Sequence, residues 1–315
     1  MLMKSKFNKI CLFSVSKSIV LSPFLMLFVV INSMAQTTNT LRNEILKNIS
    51  SKNAIVGVSI IGSSNKDTLS INGDRHCPLQ SVFKFHIGVA VLSEIDKGKF
   101  SLQSKVKVKK EELLPELWSP LRKENPKGGT FTIAKLLQYS ISQSDNVACD
   151  ILIRLIGTPD TVEAYFKKNN INDLSIEINE EVMQAKWENM FRNWITPKAA
   201  STGLKLFYDN KAKLLSKTSY NFLWKTMKET STGMDRLKGS LPSKTVVAHK
   251  TGSSGTNVEG LTPATNDIGV VFLPNGDHYF ISVLVTDSKE SDETNAKIIS
   301  VISKVTWDFF NSKIK

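Results

Sequence analysis

Apolar and polar positions alternate in short runs near both ends of this chain and recur at helical spacing between them. From Ala54 to Ser63 apolar residues alternate with small or polar ones, as on a strand with a buried face. Asp67 to Gly73 offers a second strand beyond a Ser63-Ser64-Asn65 turn. Thr245 to Ser254, Asp267 to Leu273 and His278 to Asp287 read as three more, the last two joined by the hairpin signal Pro274-Asn275-Gly276. From Glu293 to Phe310 the residues Ile298, Ile299, Val301, Ile302, Val305 and Phe309 follow the helical period, which predicts a C-terminal helix packed on that sheet.

The stretch between is helical in pattern: Ser81 to Lys97, Ile133 to Ser142, Asn146 to Ile156, Pro159 to Asn169, Pro197 to Tyr208 and Ser219 to Thr230. No internal repeat or low-complexity linker interrupts it. The pattern predicts an α/β protein of the α+β kind, in which N- and C-terminal segments share one sheet flanked by helices. Residues 36–78 and 231–315 form the α/β lobe, and a strand-free helical lobe, 79–230, is inserted into it.

The first 35 residues read as a secretory signal. Lys4, Lys6, Lys9 and Lys17 supply the positive region, Ile19 to Ile31 the apolar core, and Ser33-Met34-Ala35 the small-residue cleavage site. The core is interrupted by Pro23 and is shorter than the roughly 20 residues that span a bilayer. No lipid-attachment cysteine follows it, since Cys11 lies before it. A mature chain beginning near Gln36, soluble and periplasmic with no membrane partner, is the expectation. Cleavage removes four lysines and no acid, so the formal net charge falls from +12 to +8. The lysines are scattered and no nucleic-acid motif accompanies them, which argues against a nucleic-acid partner. Weak steering of an anionic substrate and ordinary solubilising charge both account for the excess.

Two cysteines remain in the mature chain, Cys77 and Cys149. Export permits a bridge between them, and two small buried thiols are the alternative. The four histidines, His76, His86, His249 and His278, do not fall at metal-ligand spacings, which argues against a zinc hydrolase.

Three short motifs carry the chemistry: Ser81-Val82-Phe83-Lys84, Ser144-Asp145-Asn146 and Lys250-Thr251-Gly252. Ser81 and Lys84 are three apart, so on a helix they share a face and the amine can reach the hydroxyl, giving a nucleophile with a proton acceptor. A helix start at Ser81 favours developing negative charge. Phe83 and Phe85 flank Lys84 and argue that it is desolvated, in which state a neutral amine can take a proton. Ser144-Asp145-Asn146 precedes the apolar run Val147 to Ile156, as a loop delivering into a helix would, with Asp145 structural. Lys250-Thr251-Gly252 follows Thr245-Val246-Val247 and belongs on a strand, with Gly252 letting a substrate approach the backbone.

In this order and at these spacings the trio resembles that of the class A serine β-lactamases, from about residue 40 onward. The resemblance implies the β-lactamase/transpeptidase-like fold with a five-stranded antiparallel sheet and a site in the cleft between lobes. It implies hydrolysis of β-lactam antibiotics through a serine acyl-enzyme, conferring resistance, by a monomer acting on a small-molecule substrate with no cofactor. Ser81 would attack the lactam carbonyl and Ser144 would relay a proton to the leaving nitrogen. Asn146 would position Lys84 and the substrate side-chain amide, and the N–H groups of Ser81 and Ser253 would form the oxyanion hole. Lys250, Thr251, Ser253 and Arg236 would bind the substrate carboxylate.

The base that activates water for release of the acyl group is matched to Glu180, in Asn179-Glu180-Glu181-Val182-Met183-Gln184, with Glu181 as the neighbouring alternative. Gln184 stands where many members hold that water with asparagine. Trp118 resembles the aromatic wall of the cleft, and a buried core tryptophan is the competing reading. Departures also inform. The arginine and aspartate that usually clasp the ends of the glutamate loop are replaced by Ile178 and Asn193, as in the extended-spectrum cephalosporinases. Gln80 and Ser254 replace the disulfide of the class A carbapenemases. A cell-wall DD-peptidase and a non-hydrolysing β-lactam sensor are the rival functions, and Glu180 argues against both.

Overall fold

The structure is a computed structural model that describes residues 38–313; the signal segment lies outside the described residues. Five strands form one antiparallel sheet: β1 (Ile55–Gly62), β2 (Thr68–Ile71), β3 (Val247–Ser253), β4 (Thr262–Phe272) and β5 (His278–Ser288), in the order β2-β1-β5-β4-β3. The β1–β5 pairing, Ile55 opposite Thr286 through Gly62 opposite Tyr279, joins the two ends of the chain. The β4–β5 hairpin closes where the sequence signal stands, with Gly276 at φ +86° and its N–H donated to the Leu273 carbonyl.

Both faces of the sheet are covered, so the alternation along β5 sorts residues between two cores instead of between core and water. Tyr279, Ile281, Val283 and Val285 pack with helices α1 (residues 38–49) and α10 (Asp292–Ser312). Phe280 and Leu284 face the opposite way into a larger core shared with the remaining helices. β3 obeys the same rule, with Val247 in the first core and Ala248 in the second. Lys250 therefore faces the helical side and His249 the side of α10, while Thr251, nearer the end of this edge strand, meets Thr232 at the cleft.

On the helical side lie α2 (Phe83–Asp96), α3 (Pro120–Glu124), α4 (Ile133–Ser142), α5 (Asn146–Ile156), α6 (Pro159–Lys168), α7 (Glu180–Ala185), α8 (Pro197–Asp209) and α9 (Lys217–Lys228). α2 is buried without interruption from Phe83 to Glu94, as an apolar helix at the centre of a bundle must be. A Cβ at Gly88 would come 2.6 Å from Ile141 Cδ1, so glycine there sets the approach of α2 to α4. Thr132, Asp145 and Thr196 cap α4, α5 and α8 by accepting from backbone N–H groups of the first turn.

The expected elements are present, with differences. The middle segment is not strand-free: Lys105–Val108 pairs with Gly129–Thr132, and Trp194–Ile195 pairs with both Cys77–Pro78 and Leu174–Ser175. Pairs of two to four residues carry too little alternation to register in a sequence. α8 lies on the sheet, its Ser201 hydroxyl 2.5 Å from that of Ser59 on β1 and its Pro197 carbonyl accepting from Ser282 on β5. α1 was missed, because its inward residues Leu41 and Ile45 are too few to outweigh its polar face. Among the described residues no helix is long and apolar enough to cross a membrane.

Candidate active site

The chain enters the site through a strained turn. Gln80 is buried at φ +46°, and residues Gln80–Val82 form a 3-10 turn that leads straight into α2. This turn is held from three sides. Leu79 N–H donates to the Asn193 carbonyl (2.8 Å), Gln80 Nε2 to the Met190 carbonyl (3.0 Å), and Asn266 Nδ2 to the Pro78 carbonyl (2.8 Å). β3 presses against it: a Cβ at Gly252 would lie 2.7 Å from the Leu79 carbonyl oxygen and 3.2 Å from Val82 N. Glycine at 252 is therefore required by this contact between strand and turn, besides any approach of substrate to the backbone.

Lys84, fully buried one turn beyond Ser81, donates to Ser81 Oγ (2.7 Å) and to Asn146 Oδ1 (2.7 Å) and is ion-paired to Glu180 Oε1. Glu180 Oε1 lies 3.5 Å from Ser81 Oγ, and Glu180 Oε2 accepts from Gln184 Nε2 (3.1 Å). Glu181 is exposed, and it is Glu180 that meets Lys84. Ser144, at φ +58°, accepts from Lys250 Nζ (2.9 Å), which also donates to the Thr251 carbonyl. Burial and then the positive charge of Lys84 push the Lys250 amine well below its ordinary range, against the pull of Asp267 and Glu180.

Asp145 is structural, as expected. Its carboxylate accepts from the Ser119 hydroxyl and from the backbone N–H groups of Leu121 (2.6 Å) and Ala148 (2.8 Å), which joins α3 to the start of α5. A second buried aspartate was missed. Asp150 accepts from Glu180 N–H (2.8 Å) and Glu181 N–H (2.9 Å), and so fixes the start of α7 and the base of Glu180. Burial, then the charge of Glu180, raises its carboxyl to about 7. The signal was its place on α5, one turn from Asn146 on the same face.

The loop carrying Glu180 is closed by Asn193, fully buried. Its Oδ1 accepts from the N–H groups of Glu177 (2.8 Å) and Ile178 (3.1 Å), and its Nδ2 donates to the Ile178 carbonyl (2.8 Å). Three amide hydrogen bonds thus stand where an ion pair was missing from the sequence, and Ile178 packs inward beneath them.

At the far end of β3 the guanidinium of Arg236 donates to the Gly252 and Asn266 carbonyls (2.9 Å each) and to Ser253 Oγ (2.6 Å), while the Thr232 and Thr251 hydroxyls meet at 2.6 Å. Ser81, Trp118, Ser144, Asn146, Gln184 and Arg236 line one cleft of about 450 Å³. Trp118 is 64% exposed, which rules out the core reading. A larger hollow of about 830 Å³ between α1, α10 and residues 235–240 holds none of the motif residues. Cys77 and Cys149 are both free and buried, so no bridge joins them. Burial pushes the Cys77 thiol up to about 12. Among the described residues no grouping of His, Cys, Asp and Glu could hold a metal ion.

A buried serine–lysine pair, a second serine–lysine pair facing it and a carboxylate touching the first lysine are the parts of an acyl-transfer hydrolase. The family model described as "Beta-lactamase enzyme family" matches residues 40–310. The chain is 51% identical to the β-lactamase VEB-1 of Pseudomonas aeruginosa over 94% of its own length and 99% of the relative's. It is 41% identical to the extended-spectrum β-lactamase PER-1 of the same organism, over 87% and 88%. The crystal structure of the TLA-1 extended-spectrum β-lactamase superposes with a TM-score of 0.85 at 46% identity, covering 87% of this chain and 99% of that one. The chain belongs to the β-lactamase enzyme family, as a class A serine enzyme that hydrolyses the β-lactam ring and so confers antibiotic resistance.

Proposed function

We propose that this enzyme is a periplasmic, monomeric cephalosporinase that also takes penicillins, and that Ser81, Lys84, Ser144 and Glu180 perform the chemistry. The observation that carries the reading is the contact of the Glu180 carboxylate with Lys84, 3.5 Å from Ser81 Oγ. Ser81 Oγ attacks the lactam carbonyl and gives its proton to Lys84 or, through water, to Glu180. Lys84 can accept only as a neutral amine, and Glu180 in direct contact is where its own proton can go. The oxyanion forms between the backbone N–H groups of Ser81 and Ser253, each donor worth about 3 to 4 kcal/mol. Ser144, hydrogen-bonded to Lys250, relays that proton to the departing nitrogen, giving its own and taking back the one released by Ser81, so that Lys84 is neutral and Glu180 ionised for the next step.

Glu180 then activates the water that breaks the acyl ester, with Gln184 beside it as a second partner for that water. Lys250, Thr251, Ser253 and Arg236 receive the substrate carboxylate; Asn146 receives the side-chain amide, and Trp118 forms the outer wall. The cleft lies between an α/β lobe, residues 36–78 and 231–315, and a helical lobe, 79–230, with α8 as the layer between them. Breadth toward bulky cephalosporins rests on the Asn193 closure and on likeness to relatives named extended-spectrum. Export with cleavage near Ala35 belongs to the same proposal.

The test is a time course of intact mass for mature protein mixed with a modest excess of a cephalosporin. An adduct on Ser81 that appears and vanishes as the drug is consumed is expected. A persistent adduct would favour a penicillin-binding peptidase or sensor, and drug loss with no Ser81 adduct would overturn the assignment of the nucleophile.

A further inference from the structure

Behind β3, on the face turned from Ser81, sits a titratable pair that the reaction does not use. His249 and Asp267 are both fully buried, and His249 Nδ1 lies 3.0 Å from each carboxylate oxygen. A carboxylate accepts, so Nδ1 carries the proton; Nε2 is buried without a partner. The two residues are diagonal neighbours on one face, since Thr251 stands opposite Asp267 and His249 opposite Gly269. Gly269 makes the room: a Cβ there would meet His249 Cβ at 2.9 Å.

The pair reaches forward through the chain. Asp267 Oδ2 accepts from the backbone N–H of Leu237 (3.2 Å), and the Leu237 carbonyl accepts from Ser303 Oγ of α10 (2.7 Å). Leu237 is therefore clamped on both sides, and the residue before it is Arg236, which lines the cleft. The negative charge of Asp267 acts on the Arg236 guanidinium ahead of those of Asp235 and Asp292, and across the strand it acts on Lys250 together with that of Glu180. One buried carboxylate thus serves both cations at the carboxylate end of the cleft.

We infer that His249 and Asp267 act as positioning residues for recognition of the substrate carboxylate: the imidazole N–H orients Asp267, and Asp267 fixes Arg236 through the Leu237 backbone. The inference rests on the reading that Arg236 binds that carboxylate. It separates binding from chemistry, because Lys84 and Glu180 face the opposite side of the strand.

The experiment compares kcat and KM for a cephalosporin in wild type, His249→Gln, His249→Asn, Asp267→Asn and Arg236→Ala. Asn places its amide nitrogen where the imidazole has Nδ1, whereas Gln does not. His249→Gln and Asp267→Asn should each raise KM by about tenfold, the loss of one buried charge-assisted hydrogen bond, with kcat held within about threefold. His249→Asn should recover most of the wild-type KM despite leaving the larger void; a packing role would make it the worse variant. An equal loss in both His249 variants, or a fall in kcat at unchanged KM, would overturn the inference. Should Asp267→Asn fail to fold, the two His249 variants decide it. If Arg236→Ala leaves KM unchanged, the reading of Arg236 fails instead; if it raises KM while His249→Gln does not, only the pair's role fails.

Discussion

Replacing Glu180 with glutamine tests the chemistry at its most exposed point, because shape is kept while the base is removed. Two effects follow and differ in size. Glu180 and Lys84 are ion-paired with side chains 1% and 0% exposed, and removing one partner of a buried pair costs about 3–5 kcal/mol of stability. Lys84 keeps the Asn146 and Ser81 oxygens as acceptors, and a glutamine carbonyl can stand where Oε1 stood, so the loss should lie at the low end. The Gln184 amide, which donates to Glu180 Oε2, would face an amide nitrogen and has to turn away. The variant should fold with a lowered Tm. Loss of a general base costs about 10² to 10⁴ in rate, or about 3–5 kcal/mol of barrier at 1.36 kcal/mol per tenfold.

That rate loss falls on release of the acyl group, where water must be deprotonated. The assay is stopped-flow loss of a chromogenic cephalosporin with parallel intact mass. A burst equal to the enzyme concentration, followed by turnover slowed at least a hundredfold or so, is the expected result. Mass should show a stable adduct on a peptide containing Ser81. Glu181→Gln should behave as wild type, since that side chain is exposed. Turnover within about tenfold of wild type with no adduct would refute the assignment of Glu180 as the base.

Asn193→Ala strands three hydrogen-bonding groups of the loop backbone and should lower stability by about 2–4 kcal/mol in thermal unfolding; Asn193→Asp keeps the two acceptor bonds and should lose less. Equal losses would show that the amide does not close the loop. Asp150 is raised from 3.8 to about 7, so between those values the native state holds a proton that the unfolded chain has released. Its contribution to stability is therefore lost as pH rises through that window, and Tm of Asp150→Asn minus Tm of wild type should grow from pH 5 to pH 8. A difference that shrinks would refute the buried, charge-opposed carboxyl. A thiol reagent should find no reactive cysteine in the native mature enzyme and two in denaturant without reductant; none in denaturant would mean that Cys77 and Cys149 are bridged.

Long elements were legible in the sequence because their burial follows one period. α4 and α5 fall on the predicted residues, since Leu136, Leu137 and Ile141 or Val147, Ile151 and Leu152 recur on one face between a capping residue and a stop, Gln143 for the first and Gly157 for the second. β4 was read as beginning at Asp267 and begins at Thr262. Thr262, Thr265, Asn266 and Asp267 are buried polar residues, and the partners of the last two lie far away in sequence. Asn266 reaches the Pro78 carbonyl and Asp267 reaches His249. Polar residues at the buried end of a strand read as a loop unless those partners are known.

The same limit divides the site. Ser81, Lys84, Ser144, Asn146 and Lys250 were legible because each motif is a short local run, one helical turn for Ser81 and Lys84, and because the three runs in order resemble a known trio. Asp150, Asn193 and the His249–Asp267 pair are not local, and each acts by holding backbone N–H groups that lie far away in sequence. Asp150 holds residues thirty positions on, and Asp267 holds Leu237 thirty positions back. Such carboxylates cost stability when buried and gain it back only through bonds that the fold brings to them. They therefore mark where the fold meets the chemistry: Asp150 holds the N–H groups at the start of α7, which brings Glu180 to Lys84, and Asp267 holds the N–H of Leu237 beside Arg236.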